Sequence, residues 1–348
     1  MKSFVKVIFI CVVILGTVMC GISQKGIEII PDDAQRKVDV LFNGKLFTSY
    51  IYPADLEKPV LYPIYTANGT VITRGFPIDP RPKERTDHAH HVGCWFNFGD
   101  VNGLDFWNNT NLVPEDEKPN FGSIRHRNVV NIQNGPNRGI LEVEADWVDF
   151  TEKVLLKEET GFVFSGKGDW RIIERTTKLT AQKDTVTFTD SKEGLLAIRM
   201  DRVFEEPPTS RAEFVDSHGN VTIIEPDDPH NQGINGQYRN SEGGEMEKGV
   251  WGKPAKWVSL SAEKEGEKIS VAVIDHKNNP GHPAHSHARG YGLFSTNNMG
   301  AKVFHPTEPL FVLQLKPGES TTFKYLIVVK TNGFVTDDEL NKLFEEFK

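Results

Sequence analysis

The chain has 348 residues, of which 25% are charged, and its 40 Lys and Arg against 48 Asp and Glu give a formal net charge of −8. That length suits one large β domain or two ordinary ones. The acidic balance, with no basic block in the body of the chain, argues against nucleic acid as a partner.

The chain starts with Lys2 and Lys6 around an apolar run from Val7 to Leu15, followed by small residues at Gly21 and Ser23. This is the layout of a secretory leader, and it falls short of the roughly 20 apolar residues of a membrane span. We read residues 1–23 as a signal peptide and 24–348 as one β-sandwich domain, secreted or periplasmic, with no membrane span in the mature chain. Cys20 offers a lipoprotein alternative, against which bulky Met19 speaks. Cleavage after Ser23 leaves Cys94 alone, so no intramolecular disulfide is available and a packed core has to supply stability.

Short β patterns follow in chain order. Lys37 to Phe42 and Leu46 to Tyr52 flank Asn43-Gly44, a strong hairpin signal. The run from Val92 to Phe98 is strand-like and apolar. Leu141, Val143, Ala145 and Trp147 alternate with acidic residues, as on a strand with one wet face. Further strands are expected at Gly161–Phe164, Asp184–Thr189, Leu195–Met200, Val221–Ile224, Trp257–Ser261, Ile269–Ile274 and Phe323–Val329. Glu205 to Gly249 reads as a rim of loops carrying a hairpin around Val221. Thr336-Asp337-Asp338-Glu339 is a capping box that opens a C-terminal helix. Many strands without intervening helical patterns predict an all-β, large antiparallel sandwich.

The candidate chemistry lies in two histidine stretches, Asp87-His88-Ala89-His90-His91 and His282-Pro283-Ala284-His285-Ser286-His287-Ala288-Arg289. We expect them to meet in one cleft. If the first is extended, alternation places His88 and His90 on one face and His91 on the other. Two readings stand side by side. In one, His88 or His90 and His287 act as acid and base, a role suited to imidazole near neutral pH. Glu193 is then their carboxylate partner, and Lys192 and Arg289 hold the substrate. In the other, His88, His90 and His287 bind a divalent metal, with Asp87 fixing a tautomer. No nucleotide cofactor is expected. Arg199, which follows the Asp190-Ser191-Lys192-Glu193-Gly194 turn, joins Asp87, His91 and His282 as a substrate contact. Trp107 is the aromatic face for a sugar ring, although core packing is the better reading for any single tryptophan. A small molecule or oligosaccharide is the expected partner, and a glycan-binding module without catalysis is the third function considered.

These residues resemble a known family. Arg85-Thr86-Asp87-His88-x-His90-His91, Gly99-Asp100-Val101-Asn102-Gly103-x-Asp105-Phe106-Trp107, Asp190-x-Lys192-Glu193-Gly194 with Arg199, and Asp275-His276-x-x-Asn279-Pro280-x-His282-Pro283 through His287-x-Arg289-x-Tyr291 are similar to motifs of the PmoA-like family. The resemblance covers roughly Val60 to Leu315. The family pattern often has proline where Ala89 stands and arginine where Val92 stands, and His285 looks local to this chain, which favours His287 over it. The family's name points to a methane oxygenase subunit, a multi-span protein that this chain does not match. The resemblance implies a galactose-mutarotase-type supersandwich and a carbohydrate substrate.

Overall fold

The computed structural model of the protein describes residues 26–215 and 220–348. The leader expected over residues 1–23 and His218 lie outside the described residues. Two eight-stranded antiparallel sheets form the body. The first runs, in spatial order, Ile27–Asp32, Lys37–Phe42, Lys45–Ile51, Val60–Ile64, Cys94–Phe98, Gly194–Arg199, Leu293–Asn297 and His285–Ser286. The second runs Gln237–Asn240, Trp257–Lys264, Glu267–Asp275, Ser320–Lys330, Trp170–Ala181, Val154–Ser165, Arg138–Asp149 and Gly122–Gln133. The expected all-β sandwich with a short C-terminal helix is the observed architecture.

The hairpin at Asn43-Gly44 forms because both residues take positive φ, 51° and 76°, the backbone a tight two-residue turn demands. The alternating residues Leu141, Val143, Ala145 and Trp147 point into one shared core with Phe96 and Phe98 of the first sheet and Phe323 and Tyr325 of the second. The rim hairpin pairs Ala212–Val215 with Val221–Ile224 as expected. The helix Asp337–Glu346 opens on a complete capping box at Thr336 and Glu339. It packs Leu340 and Phe347 onto the outer face of the second sheet, against Trp257, Ile274 and Leu326. Among the described residues, no helix is long and apolar enough to cross a membrane.

The outer face of the first sheet positions the site. In Cys94–Phe98 every residue is buried, because the sheet is covered on both faces, which is why this run shows no polar alternation. Phe96 and Phe98 face the main core, while Trp95 faces outward into a separate apolar cluster with Val60, Val92, Trp107, Ala197 and Leu293. The register places Ala197 opposite Trp95 and Arg199 opposite Leu293. The histidine loop lies over this outer cluster.

Candidate active site

Arg74 organises the loop that carries the first three histidines. Its buried guanidinium donates to the carbonyl oxygens of Asp87 at 2.8 Å, His88 at 2.9 Å and His91 at 3.0 Å, and to Asp87 Oδ1 at 2.8 Å. Such a fork needs several acceptors converging on one point. The loop supplies them by turning: His91 N donates to His88 O at 2.9 Å, and His88 takes a positive φ of 46°.

This turn corrects the expectation that His88 and His90 share a face. Alternation holds only for extended backbone. In the turn it is His91 that stacks on His88, at 4.8 Å between ring centroids and 2° between planes. His90 stands edge-on to both, at 5.6 Å and 4.3 Å. It lines a cavity of about 90 Å³ together with Lys58, and burial, then Lys58, pushes its ring down to about 2.

Arg199 is fully buried and fixes both Asp87 and His91. Its Nη2 donates to Asp87 Oδ1 at 2.7 Å, and its Nη1 lies 3.1 Å from His91 Nδ1. A guanidinium nitrogen only donates, so His91 Nδ1 accepts and the ring proton sits on Nε2. Burial, reinforced by His90 and Arg199, holds His91 neutral. For Asp87, burial opposes ionisation, but Arg199, His88 and Arg74 outweigh it and hold the carboxyl well below the usual range. Arg199, expected to contact substrate, is therefore a positioning residue: with 0% exposure it has no surface to offer. Trp107 is likewise 0% exposed. It packs against Trp95 at 5.2 Å and beneath His287 at 6.3 Å, so it supports the site from below rather than presenting a face to a sugar.

The chain just past the downstream stretch reaches the first one. Tyr291 lies parallel to His88 at 5.1 Å and 14°, with the Arg199 guanidinium 4.7 Å from its ring centroid. Three adjacent strands bring Glu193 to His287. Glu193 immediately precedes Gly194–Arg199, and His287 N bonds to Ser295 O on the neighbouring strand. Glu193 Oε2 comes within 3.4 Å of His287 Nδ1, while Glu193 Oε1 is 3.2 Å from Lys192 Nζ. Burial raises the Glu193 carboxyl, and Lys192 only partly offsets it. Burial, then Arg289 and Lys192, push His287 down to about 3. Gly99 is required beside this pair, since a Cβ there would fall 2.7 Å from Glu193 Cβ and 2.8 Å from Ser191 Oγ.

The remaining expected residues part company. Arg289 is half-buried, bonded to Glu247 at 3.1 Å and set over Trp251 at 5.5 Å. His282 belongs elsewhere: its Nδ1 bonds to Asp275 Oδ2 at 2.6 Å, and its ring stacks on Phe344 of the C-terminal helix. Asp275 also accepts from Asn279, Asn298 and Ala284 N. The Asp275-to-His282 motif thus pins a loop to the second sheet, away from the His88 and His287 cluster. Nor are His88, His90 and His287 gathered as a ligand set. Among the described residues, no three or more His, Cys, Asp or Glu side chains are arranged to hold a metal ion.

Sequence reasoning missed Arg74, Lys58 and the placing of Tyr291. A lone arginine between two short strands carries no local signal; its role depends on carbonyls 11 to 17 positions away.

A family model matches residues 37–345. The chain belongs to that family, DUF6807, a family of unknown function. This corrects the resemblance to the PmoA-like family: the motif runs around the histidines did not separate the two, and the match along 37–345 does. A search of curated proteins gave no significant match. Matching solved structures include the α-galactosidase AgaB from Geobacillus stearothermophilus, at 11% identity over 88% of this chain and 41% of that one, with a TM-score of 0.39. They also include a putative aldose 1-epimerase from Escherichia coli K12, at 13% identity over 88% and 99% with a TM-score of 0.34. A galactose mutarotase related enzyme from Lactobacillus acidophilus matches at 10% identity over 88% and 97%, with a TM-score of 0.28. The DUF6807 chain spans 41% of the α-galactosidase's length. TM-scores of this size carry no argument about its activity, and the sandwich assignment rests on the strand order itself.

Proposed function

We propose that the protein performs acid/base chemistry on a carbohydrate at the side-chain cluster of His88, Tyr291, Glu193 and His287, in a secreted or periplasmic setting. The observation that carries this reading is the Glu193–His287 pair at 3.4 Å, close enough to the exposed His88 ring to feel its charge, with that ring lying parallel to Tyr291. Desolvation favours the protonated form of Glu193 and the neutral form of His287. A carboxyl group that holds its proton to higher pH than usual, beside an imidazole kept neutral by burial, suits a general acid working closer to neutral pH.

The roles divide by accessibility. His88, with 40% of its side chain exposed, and Glu193 face the substrate and exchange protons with it. His287 sits behind Glu193 and relays. Tyr291, packed between the His88 ring and the Arg199 guanidinium, fixes the orientation of His88. Lys192 and Arg289 flank the cluster as donors to substrate oxygens. Arg74, Arg199, Asp87 and His91 hold this arrangement without touching substrate.

The test follows proton-dependent sugar chemistry directly. Anomeric exchange of common aldoses by NMR, and product release from an oligosaccharide panel, are measured for the wild type, Glu193→Gln and His88→Ala. Each substitution is expected to lower turnover by about a hundredfold or more, with near-unchanged melting. Wild-type turnover in Glu193→Gln sinks the proposal. Sugar binding with no product from any bound sugar assigns the cluster to recognition instead.

A further inference from the structure

A cavity of about 700 Å³ lies beside the segment Tyr52 to Pro59 and the strand Gly122–Gln133, apart from the cluster above. Lys58 stands in the wall between this cavity and the smaller one that takes in His90. It is only 5% exposed, which is unusual for a lysine without a charged partner. Its ammonium donates to His90 O at 2.8 Å and lies 5.6 Å from the Trp95 ring centroid. No carboxylate comes within ion-pair distance of it among the described residues. An ammonium carries three N–H donors, so most of its hydrogen-bonding capacity is unmet. A buried cation left without a counter-charge is costly, and burial pushes this one down to about 7 in spite of Asp105 and Glu57.

The rest of the wall points the same way. Arg36 also makes no ion pair among the described residues. Arg125 is shared between Glu57 at 2.9 Å and Glu152 at 3.4 Å, and Arg127 pairs with Asp146. Beside these cations lies a flat surface: the His126 ring sits on Tyr52 at 3.9 Å and 28°, held by a 3.1 Å contact between Tyr50 Oη and His126 Nδ1. Asp33 lines the same wall beside Tyr52 and His126, but two cations without an ion pair next to a rigid aromatic face still match a sugar ring that carries an anionic substituent.

We propose that this cavity is a second binding site, for a saccharide residue bearing a carboxylate, with its charge toward Lys58 and Arg36 and its ring toward Tyr52 and His126. The occupant supplies the direct ion pair that Asp105 and Glu57, acting only from a distance, do not give Lys58. The site stands independently of the chemistry proposed at Glu193.

Calorimetric titration of the full chain compares glucuronate and galacturonate with glucose and galactose, with the uronate methyl esters, and with sodium sulfate. The uronates are expected to bind roughly tenfold or more tightly than the neutral sugars and the esters. Lys58→Met removes that preference. Because Lys58 is buried and its loss can disturb folding, Arg36→Gln at the exposed rim provides a second reading, with the preference reduced roughly threefold or more and the melt unchanged. His88→Ala keeps uronate binding whatever becomes of turnover, which separates this site from the first. Equal affinity for uronate and neutral sugar overturns the proposal, as does a preference that survives both Lys58→Met and Arg36→Gln. Sulfate competing as tightly as the uronates overturns the saccharide part.

Discussion

Replacing Arg74 with methionine removes the clamp on the histidine loop while preserving an unbranched chain of similar volume. The guanidinium makes well-formed hydrogen bonds to three loop carbonyls and to the Asp87 carboxylate, at 2.8 to 3.0 Å. Hydrogen bonds to charged groups contribute about 1.5–3 kcal/mol each, but they share one donor group and are not additive. Asp87 also keeps its bond to Arg199, so the carboxylate is not orphaned. The loss therefore comes mainly from three loop carbonyls left without a donor, each costing about 1–3 kcal/mol and not additive, so about 3–5 kcal/mol in all is expected. Urea unfolding followed by tryptophan fluorescence measures it, since Trp95 and Trp107 lie in the cluster beneath the loop. Arg74→Lys keeps the charge but loses the planar fork, and should recover less than half of the loss. Native-state hydrogen exchange adds a local readout: the His91 amide, bonded to His88 O, should exchange faster in Arg74→Met. A loss below about 1 kcal/mol with unchanged His91 exchange would refute the clamp.

Two further substitutions separate proton chemistry from scaffolding. The His287 ring has a folded value of about 3 against 6.5 in a free side chain. The unfolded chain therefore binds a proton below pH 6.5 that the folded chain refuses until about pH 3. His287 thus contributes stability that is present above pH 6.5 and lost as pH falls toward 3. His287→Gln should flatten the acid limb of stability against pH by about 1.4 kcal/mol per pH unit; an unchanged slope between pH 6 and pH 4 would show that this ring is not held neutral. His282→Ala removes one of four donors to the buried Asp275 carboxylate. It should lower stability by about 1–3 kcal/mol and leave turnover near wild type, and a collapse of turnover with an unchanged melt would return His282 to the active site.

Much of the architecture was legible because strands announce themselves locally. Asn43-Gly44, the alternation from Leu141 to Trp147 and the capping box at Thr336 each state a backbone preference within a few residues. Gly122–Gln133 and Trp170–Ala181 were missed. Gly122–Gln133 breaks alternation with register shifts after His126 and Val129, and Trp170–Ala181 mixes charged and apolar positions in a strand flanked on both edges. Of the candidate site, the neighbourhood of Glu193 and His287 was legible, whereas the places of His90, Trp107, Arg199 and His282 were not. The pairing of Glu193 with His287 was expected from residue types, and the strand order supplies it.

The sequence by itself determined the class of fold, the two histidine stretches and the residues that can exchange protons, because those depend on composition and on patterns a few residues long. Only the tertiary structure decided which of these side chains face solvent. It turned His88 onto His91 instead of His90, buried Arg199 and Trp107, sent His282 to the opposite sheet, and left Lys58 as a buried cation without an ion-pair partner. Those outcomes depend on burial and on contacts between residues far apart in the chain, which fix the direction and charge of a side chain only after the sheets have closed around it.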